Sequence, residues 1–201
     1  GTPFAKILIE DLEPVVLAGL LYLGAFLGLS AFQLIRLVFR KGANPAEPLE
    51  RKDVPWLAGA TISGGVIAPI CLMTGLTLTT GFAASLLLNL EGLATAIIAY
   101  FFFRENIGLR LGIAVVCMTA AGVLLGWDPS TGALTLSGPL LLLAAGVAWG
   151  VDNNLTRHIS SKDAVQISQI KGLVAGSISL SIAFVLGSGI PADENLIFAL
   201  I

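Results

Sequence analysis

Residues 54–90 read VPWLAGATISGGVIAPICLMTGLTLTTGFAASLLLNL, a stretch without a single Asp, Glu, Lys or Arg. A helix needs about 20 apolar residues to cross the hydrocarbon core of a bilayer, so this stretch is long enough for two crossings. Thr79, Thr80 and Gly81 supply a turn between them. The stretch therefore predicts two consecutive transmembrane helices rather than part of a soluble domain.

The composition of the whole chain supports the same conclusion. Hydrophobic residues make up 56% of the 201 residues, the mean hydropathy is +0.91, and only 12% of residues are charged. Soluble domains carry about 25% charged residues, and one of this size could not cover so much apolar surface. We therefore predict an all-α, polytopic transmembrane helical bundle embedded in a lipid bilayer.

The charged residues divide the chain into six predicted spans. These are 14–37, 55–79, 81–103, 109–127, 136–157 and 164–187. Residues 1–9 resemble the end of an earlier span, and residues 195–201 resemble the start of a later one. We therefore expect this chain to be a fragment of a longer membrane protein.

The basic residues lie almost entirely on one side of the predicted spans. The loops after the first, third and fifth spans, together with the span ends that adjoin them, hold nine Lys and Arg residues, whereas only Lys6 lies near the opposite side. Cytoplasmic loops are enriched in Lys and Arg, so residues 38–53, 104–108 and 158–163 are expected to be cytoplasmic. We accordingly expect a multi-pass protein of the inner membrane.

The charge balance and the residue types argue against several other functions. The net charge is −2 and the pI is about 5.3, without the basic stripe that a nucleic-acid partner would require. His158 is the only histidine, and no H-E-x-x-H motif occurs. We therefore expect no metal, no cofactor and no enzymatic activity.

One acidic residue lies deep inside a predicted span. Glu91 comes 12 residues before the end of the span 81–103, which places it about 18 Å deep at about 1.5 Å per residue. A charge at that depth costs about 2.5–3.5 kcal/mol, so such residues usually face a cavity or a partner. Glu91 either carries a coupling proton or is a neutral acid hydrogen-bonded to Thr95.

Small and polar residues recur at three- and four-residue spacing beside Glu91. They are Ser85, Asn89, Gly92 and Ala96. This spacing predicts a close-packed stripe on the helix surface, with Glu91 at its edge, where a cavity could begin. Asn89 is for this reason a second candidate for contact with a substrate.

Further polar residues lie near the cytoplasmic ends of the fifth and sixth spans. Asp152 and Lys171 both lie about 8–10 Å deep, so they are candidates for contact with a substrate or a coupling ion. They could also meet across antiparallel helices as a structural ion pair. The alternative is that Lys171 extends to the membrane interface. Asn153 and Asn154 either line a pore or form hydrogen bonds between helices.

The span 55–79 contains Gly64, Gly65 and Pro69. Pro69 has no N–H, so we expect the Gly65 carbonyl to lose its helical partner and the helix to kink. Thr61, Ser63 and Thr74 are candidate replacement donors in the same span. The kink is either a structural irregularity or a break that lines a cavity.

Two stretches match at an offset of about 150 residues. The sequence FAKIL at 4–8 corresponds to LTRHI at 155–159, and EPV at 13–15 corresponds to DAV at 163–165. Five crossings separate equivalent points, so the two copies would be inverted in the membrane. Inverted repeats with a binding site at their interface are typical of transporters.

Several longer motifs resemble the drug/metabolite transporter superfamily, and in particular its EamA-like transporters. They are AASLLLNLE at 83–91 followed by FRE at 103–105, Gly112, GVLL at 122–125, WGVDNNLTR at 149–157 and KGLVAG at 171–176. The departure is the sequence Asn89-Leu90-Glu91, where family members often carry a proline midway along their fourth helix.

The resemblance implies a ten-helix protein made of two inverted five-helix repeats. Residues 1–127 would form the first repeat without most of its first helix, and residues 136–201 would begin the second. The implied function is a secondary transporter that moves a small organic solute across the inner membrane, with proton coupling as an option. The alternatives are a lipid flippase and a non-transporting membrane scaffold, and a homodimer is left open.

Overall fold

The computed structural model describes residues 13–39, 47–103, 108–126 and 136–188. The described residues are helical and contain no β-strand, although one isolated parallel bridge joins Glu47 and Lys162. The terminal stretches 1–9 and 195–201 lie outside the described residues, as do parts of the predicted loops 38–53 and 104–108.

Eight α-helices occupy the described ranges. They are α1 (Pro14–Phe39), α2 (Val54–Ala60), α3 (Ala68–Thr77), α4 (Gly81–Leu87), α5 (Leu90–Phe103), α6 (Leu109–Gly126), α7 (Ser137–Arg157) and α8 (Ala164–Val185). A 3₁₀ turn, Arg51–Asp53, precedes α2, and a π-helical segment, Thr61–Ile67, joins α2 to α3.

These helices fill all six predicted spans. Among the described residues, four stretches are long and apolar enough to cross a membrane: Pro14–Arg36, Arg51–Thr77, Ala83–Phe101 and Ala164–Val185. α7 is 21 residues long but carries the polar run Asp152, Asn153 and Asn154, which lowers its hydropathy. The predicted all-α, polytopic helical bundle is confirmed.

Two of the predicted spans are not single regular helices. The second span changes to π-helix, in which the N–H of Ala68 donates to the carbonyl of Ser63, five residues earlier. The third span breaks at Leu88 and Asn89, where the N–H groups of Asn89 and Glu91 each donate to a carbonyl three residues earlier. Both irregularities lie inside membrane spans, where they can re-aim side chains toward neighbouring helices.

α1 and α8 run antiparallel and pack closely along their length. Ser188, just after α8, donates to Glu13 at 3.2 Å, and Gln169 donates to Ser30 at 3.3 Å at the other end of the pair. A methyl group on Gly172 would lie 2.9 Å from the Tyr22 carbonyl. The absence of a side chain at this position allows the two backbones to approach each other.

α7 lies in the middle of the described bundle. It packs against α2, the π segment and α3 on one side, and against α5 on another. Leu142 of α7 is fully buried, together with Leu17 of α1 and Leu76 of α3. Two polar residues of α7, Asp152 and Asn154, are buried in the bundle as well, whereas Asn153 between them is exposed.

Candidate functional site

The carbonyl of Gly64 is a point at which three helical segments meet. Pro69 would be the donor to this carbonyl in the π register, but it has no N–H. Two side chains take its place: the Tyr22 hydroxyl donates at 2.7 Å and the Trp149 indole N–H donates at 3.0 Å. The irregular backbone is thereby satisfied by α1 and α7.

This arrangement differs from the sequence prediction in register. The prediction assumed α-helical hydrogen bonds, which join residues four apart, so Pro69 would leave the Gly65 carbonyl without a donor. In the π-helix the hydrogen bonds join residues five apart, so the carbonyl left without a backbone donor is that of Gly64. Two of the expected hydroxyl donors, Thr61 and Ser63, bond to other carbonyls instead. Thr61 donates to Leu57 at 2.7 Å, and Ser63 donates to the Gly59 carbonyl at 2.9 Å, one turn earlier.

Asp152 and Lys171 form the ion pair that their depths predicted. The Lys171 ammonium lies 2.6 Å from each Asp152 carboxylate oxygen, and the Thr156 hydroxyl donates to Oδ1 at 2.9 Å. The side chains are only 10% and 16% exposed for Asp152 and Lys171, respectively. The predicted contact is confirmed, and it joins α7 to α8.

The Asp152 carboxylate rests directly on Gly64. A methyl group added to Gly64 would overlap the carboxylate of Asp152. Glycine is the residue that leaves room for the ion pair beside the π segment. The freed carbonyl and the ion pair therefore belong to one junction, which we call the Gly64 junction: Tyr22, Gly64, Trp149, Asp152 and Lys171.

A second polar cluster joins α5 to α7. The Asn153 amide donates to the Glu91 carboxylate at 3.0 Å and to the Thr95 hydroxyl at 3.2 Å. Asn154 donates to the Thr95 carbonyl at 3.1 Å and to the Gly150 carbonyl at 2.8 Å. We call Glu91, Thr95, Asn153 and Asn154 the Glu91 cluster.

Thr95 contacts Glu91, but not in the way that was considered from the sequence. Its hydroxyl donates to the backbone carbonyl of Glu91 at 2.8 Å, because the two residues are one helical turn apart. The Glu91 carboxylate instead takes its hydrogen bond from Asn153 of another helix. Glu91 is therefore bonded across the bundle.

Asn89 stabilises the break between α4 and α5. Its side-chain amide donates to the carbonyls of Ser85 and Leu86, at 3.3 and 3.2 Å. The break places Glu91 in the first turn of α5, where unpaired N–H groups favour a carboxylate. The break forms here without the proline that the family resemblance led us to expect.

Tyr22 and Trp149 were not identified from the sequence. Tyrosine and tryptophan are usually assigned to membrane interfaces, but both of these residues lie well inside their helices. A buried Tyr or Trp normally finds a partner for its polar atom. In the sequence, the indication that these two side chains bond inside the bundle was their position away from the ends of the predicted spans.

The comparisons with known proteins identify the family. A model of the EamA-like transporter family matches residues 1–127. This chain belongs to the EamA-like transporter family. It is accordingly a multi-pass membrane protein from a family of transporters.

One relative and one solved structure extend the comparison over nearly the whole chain. An uncharacterized transporter from Methanothermobacter thermautotrophicus is 32% identical over 194 residues, which cover 90% of this chain and 56% of that protein. A solved crystal structure matches with a TM-score of 0.67 at 19% identity, covering 98% of this chain and 67% of that one. The chain thus spans little more than half the length of its curated relative, and the structural match shows the fold alone.

Replacing Gly64 with alanine tests the close contact with Asp152. Alanine is normally the better helix former, by about 1 kcal/mol, but here its methyl group must displace the carboxylate. We expect Gly64→Ala in the complete protein to lose about 1–3 kcal/mol of stability in detergent, measured by thermal unfolding. Gly28→Ala is the matched control, because nothing lies within 4 Å of the added methyl group. Equal stability of the two variants would contradict this packing.

A double-mutant cycle measures the Asp152–Lys171 interaction. Asp152→Asn and Lys171→Met should each cost about 3–5 kcal/mol, because each leaves a buried charge without its partner. The double variant should lose clearly less than the sum of the two losses. Exposed ion pairs couple by about 1 kcal/mol or less, so a larger coupling would show that burial strengthens this pair. Simple additivity at Asp152 and Lys171 would show that their contact contributes nothing.

Proposed function

We propose that this chain is the larger part of a secondary transporter that carries a small organic solute across the inner membrane, with Glu91 as the residue that binds the coupling proton. The observation that carries the proposal is the hydrogen bond between Glu91 and Asn153. Glu91 lies one residue before the midpoint of the apolar span Ala83–Phe101, and Asn153 lies four residues before the end of α7, so we infer that this contact lies within the membrane, nearer its cytoplasmic side.

Protonation of Glu91 changes what this contact can do. An ionised carboxylate only accepts hydrogen bonds, whereas the neutral acid also donates one. The Asn153 amide donates to Glu91 and Thr95 in the present arrangement, and it can turn to offer its oxygen to a protonated Glu91. Proton binding would then alter the bond between α5 and α7, and with it the balance between two conformations.

The position of this contact along the chain suits alternating access. The family match ends at residue 127, where the first repeat is expected to end, so α5 would belong to the first repeat and α7 to the second. The sequence match at an offset of about 150 residues, between 4–8 and 155–159, supports an inverted relation of the two repeats. Inverted repeats that rock about a site at their interface provide alternating access.

The remaining candidate residues have supporting roles in this proposal. Asn153 changes its hydrogen bond when Glu91 binds the proton. Asn154 anchors α7 to the backbone of α5. Asn89 holds the break that orients Glu91. Asp152 and Lys171 are bonded to each other, so they hold α7 on α8 rather than bind the solute.

Glu91→Gln in the complete protein tests the role of Glu91. The amide imitates the neutral acid in shape, so the variant should fold and insert. The parent protein is reconstituted in proteoliposomes loaded with a pH-sensitive dye, and a panel of amino acids, nucleosides and organic cations is added one by one. Each solute that the parent transports should cause proton entry. Glu91→Gln should lose this proton entry by at least about tenfold while retaining exchange of labelled for unlabelled solute, which moves no net proton.

Glu13→Gln is the matched control, since Glu13 lies at the exposed start of α1 and bonds only weakly to Ser188 at 3.2 Å. It should behave as the parent does. If Glu91→Gln shows proton entry like that of Glu13→Gln, Glu91 carries no coupling proton. If the parent moves no member of the panel, the transport proposal itself fails for these solute classes.

A further inference from the structure

Lys162, in the turn 158–163 between α7 and α8, is surrounded by carboxylates. Its ammonium lies 2.8 Å from Glu50, 3.2 Å from Glu47 and 3.8 Å from Asp53. The lysine side chain is 6% exposed, which is unusual for a residue in a loop. All three carboxylates come from the segment 47–53, which leads into α2.

The backbone of segment 47–53 is docked on the same turn. Glu47 pairs with Lys162 in a parallel bridge, and the N–H of Asp163 donates to the Glu47 carbonyl at 3.2 Å. Leu49 packs beside the buried side chains of Ile159 and Ile167. Segment 47–53 is therefore held by charge, backbone and apolar contacts together.

The charges of this cluster reinforce one another. The hydrogen bond with Lys162, followed by that with Lys52, lowers the pKa of Glu50 to about 2. The hydrogen bond with Glu50 raises the pKa of Lys162. Both groups are consequently charged at neutral pH. Asp53, whose side chain is 8% exposed, has Lys162 as a nearby cation.

The cluster and the π segment lie at opposite ends of α2. Segment 47–53 precedes α2 directly, and the π segment Thr61–Ile67 follows it. A π segment is a point at which a helix bends more readily than elsewhere. α2 is only seven residues long, so it can turn as a unit about the π segment once its first end is free.

We propose that Lys162 and its three carboxylates form a latch that holds the start of α2 on the α7–α8 turn, and that the bundle opens on this side when the latch releases. The latch itself rests on the contacts above. The release step rests on the proposed transport function. This side carries the residues 38–53 and 158–163 that the basic-residue distribution assigns to the cytoplasm.

Maleimide labelling tests the latch without any solute. Ile159 is fully buried beneath segment 47–53, so a cysteine there reacts only when the segment lifts. The complete protein carries Ile159→Cys, with Cys71 and Cys117 replaced by alanine, in lipid nanodiscs. Lys162→Met should speed labelling by about tenfold or more, because it removes the cation shared by all three carboxylates.

Lys52→Met is the matched control, because it removes the same charge from a side chain that is 71% exposed. It should change the labelling rate by no more than about twofold. Lys162→Arg keeps the positive charge and should label nearly as slowly as the parent. Glu50→Gln should label faster than the parent, although the Glu50 side chain is half exposed, because it removes a carboxylate that bonds to Lys162. Labelling of both Lys162→Met and Glu50→Gln at the rate of Lys52→Met would overturn the latch.

A reversible cross-link tests the release step. Cysteines replacing Glu47 and Lys162 face each other across the bridge and can be oxidised to a disulfide in the cysteine-free protein. The oxidised form should lose the proton entry evoked by the same solute panel, and a reductant should restore it. Equal proton entry before and after oxidation would show that the latch need not open. If neither the parent nor the reduced form responds to any solute, the transport function fails, and the labelling rates alone decide the latch.

Discussion

A backbone carbonyl inside the hydrocarbon core has no water to bond, so another part of the chain must supply a donor. Pro69 creates this requirement at Gly64, and Tyr22 and Trp149 meet it from two other helices. The two bonds fix α1 and α7 against the π segment. The arrangement of the central helices around this segment depends on the pairing of one carbonyl with two side chains.

The same junction orients the two polar faces of α7. Asp152 lies against Gly64 and pairs with Lys171, while the next residue, Asn153, reaches Glu91 on α5. Successive residues on a helix point about 100° apart, so a fixed α7 presents charge to one neighbour and amides to another. The π segment is therefore connected through α7 to the Glu91 cluster, and through α2 to the contacts of Lys162.

The sequence predicted the spans and the Asp152–Lys171 contact because both follow from charge position and helix rise. It could not predict the π register, since Pro69 frees a different carbonyl in π-helix than in α-helix. It also missed Tyr22, whose partner is 42 residues away along the chain. Contacts between distant segments depend on how the helices rotate about their axes, which a local pattern of charges does not specify.

Removing the two donors to Gly64 separately and together tests the central junction most directly, with thermal unfolding of the complete protein as the measurement. Tyr22→Phe should cost little, because one donor remains for the carbonyl, and Trp149→Phe should cost only the packing that the smaller ring loses against the core. The double variant should lose about 1–3 kcal/mol more than the sum of the single losses, because it leaves a buried carbonyl unpaired. Tyr100→Phe, at an exposed tyrosine of α5, should match the parent. A double variant whose loss is no larger than that sum would show that the bundle does not depend on this carbonyl.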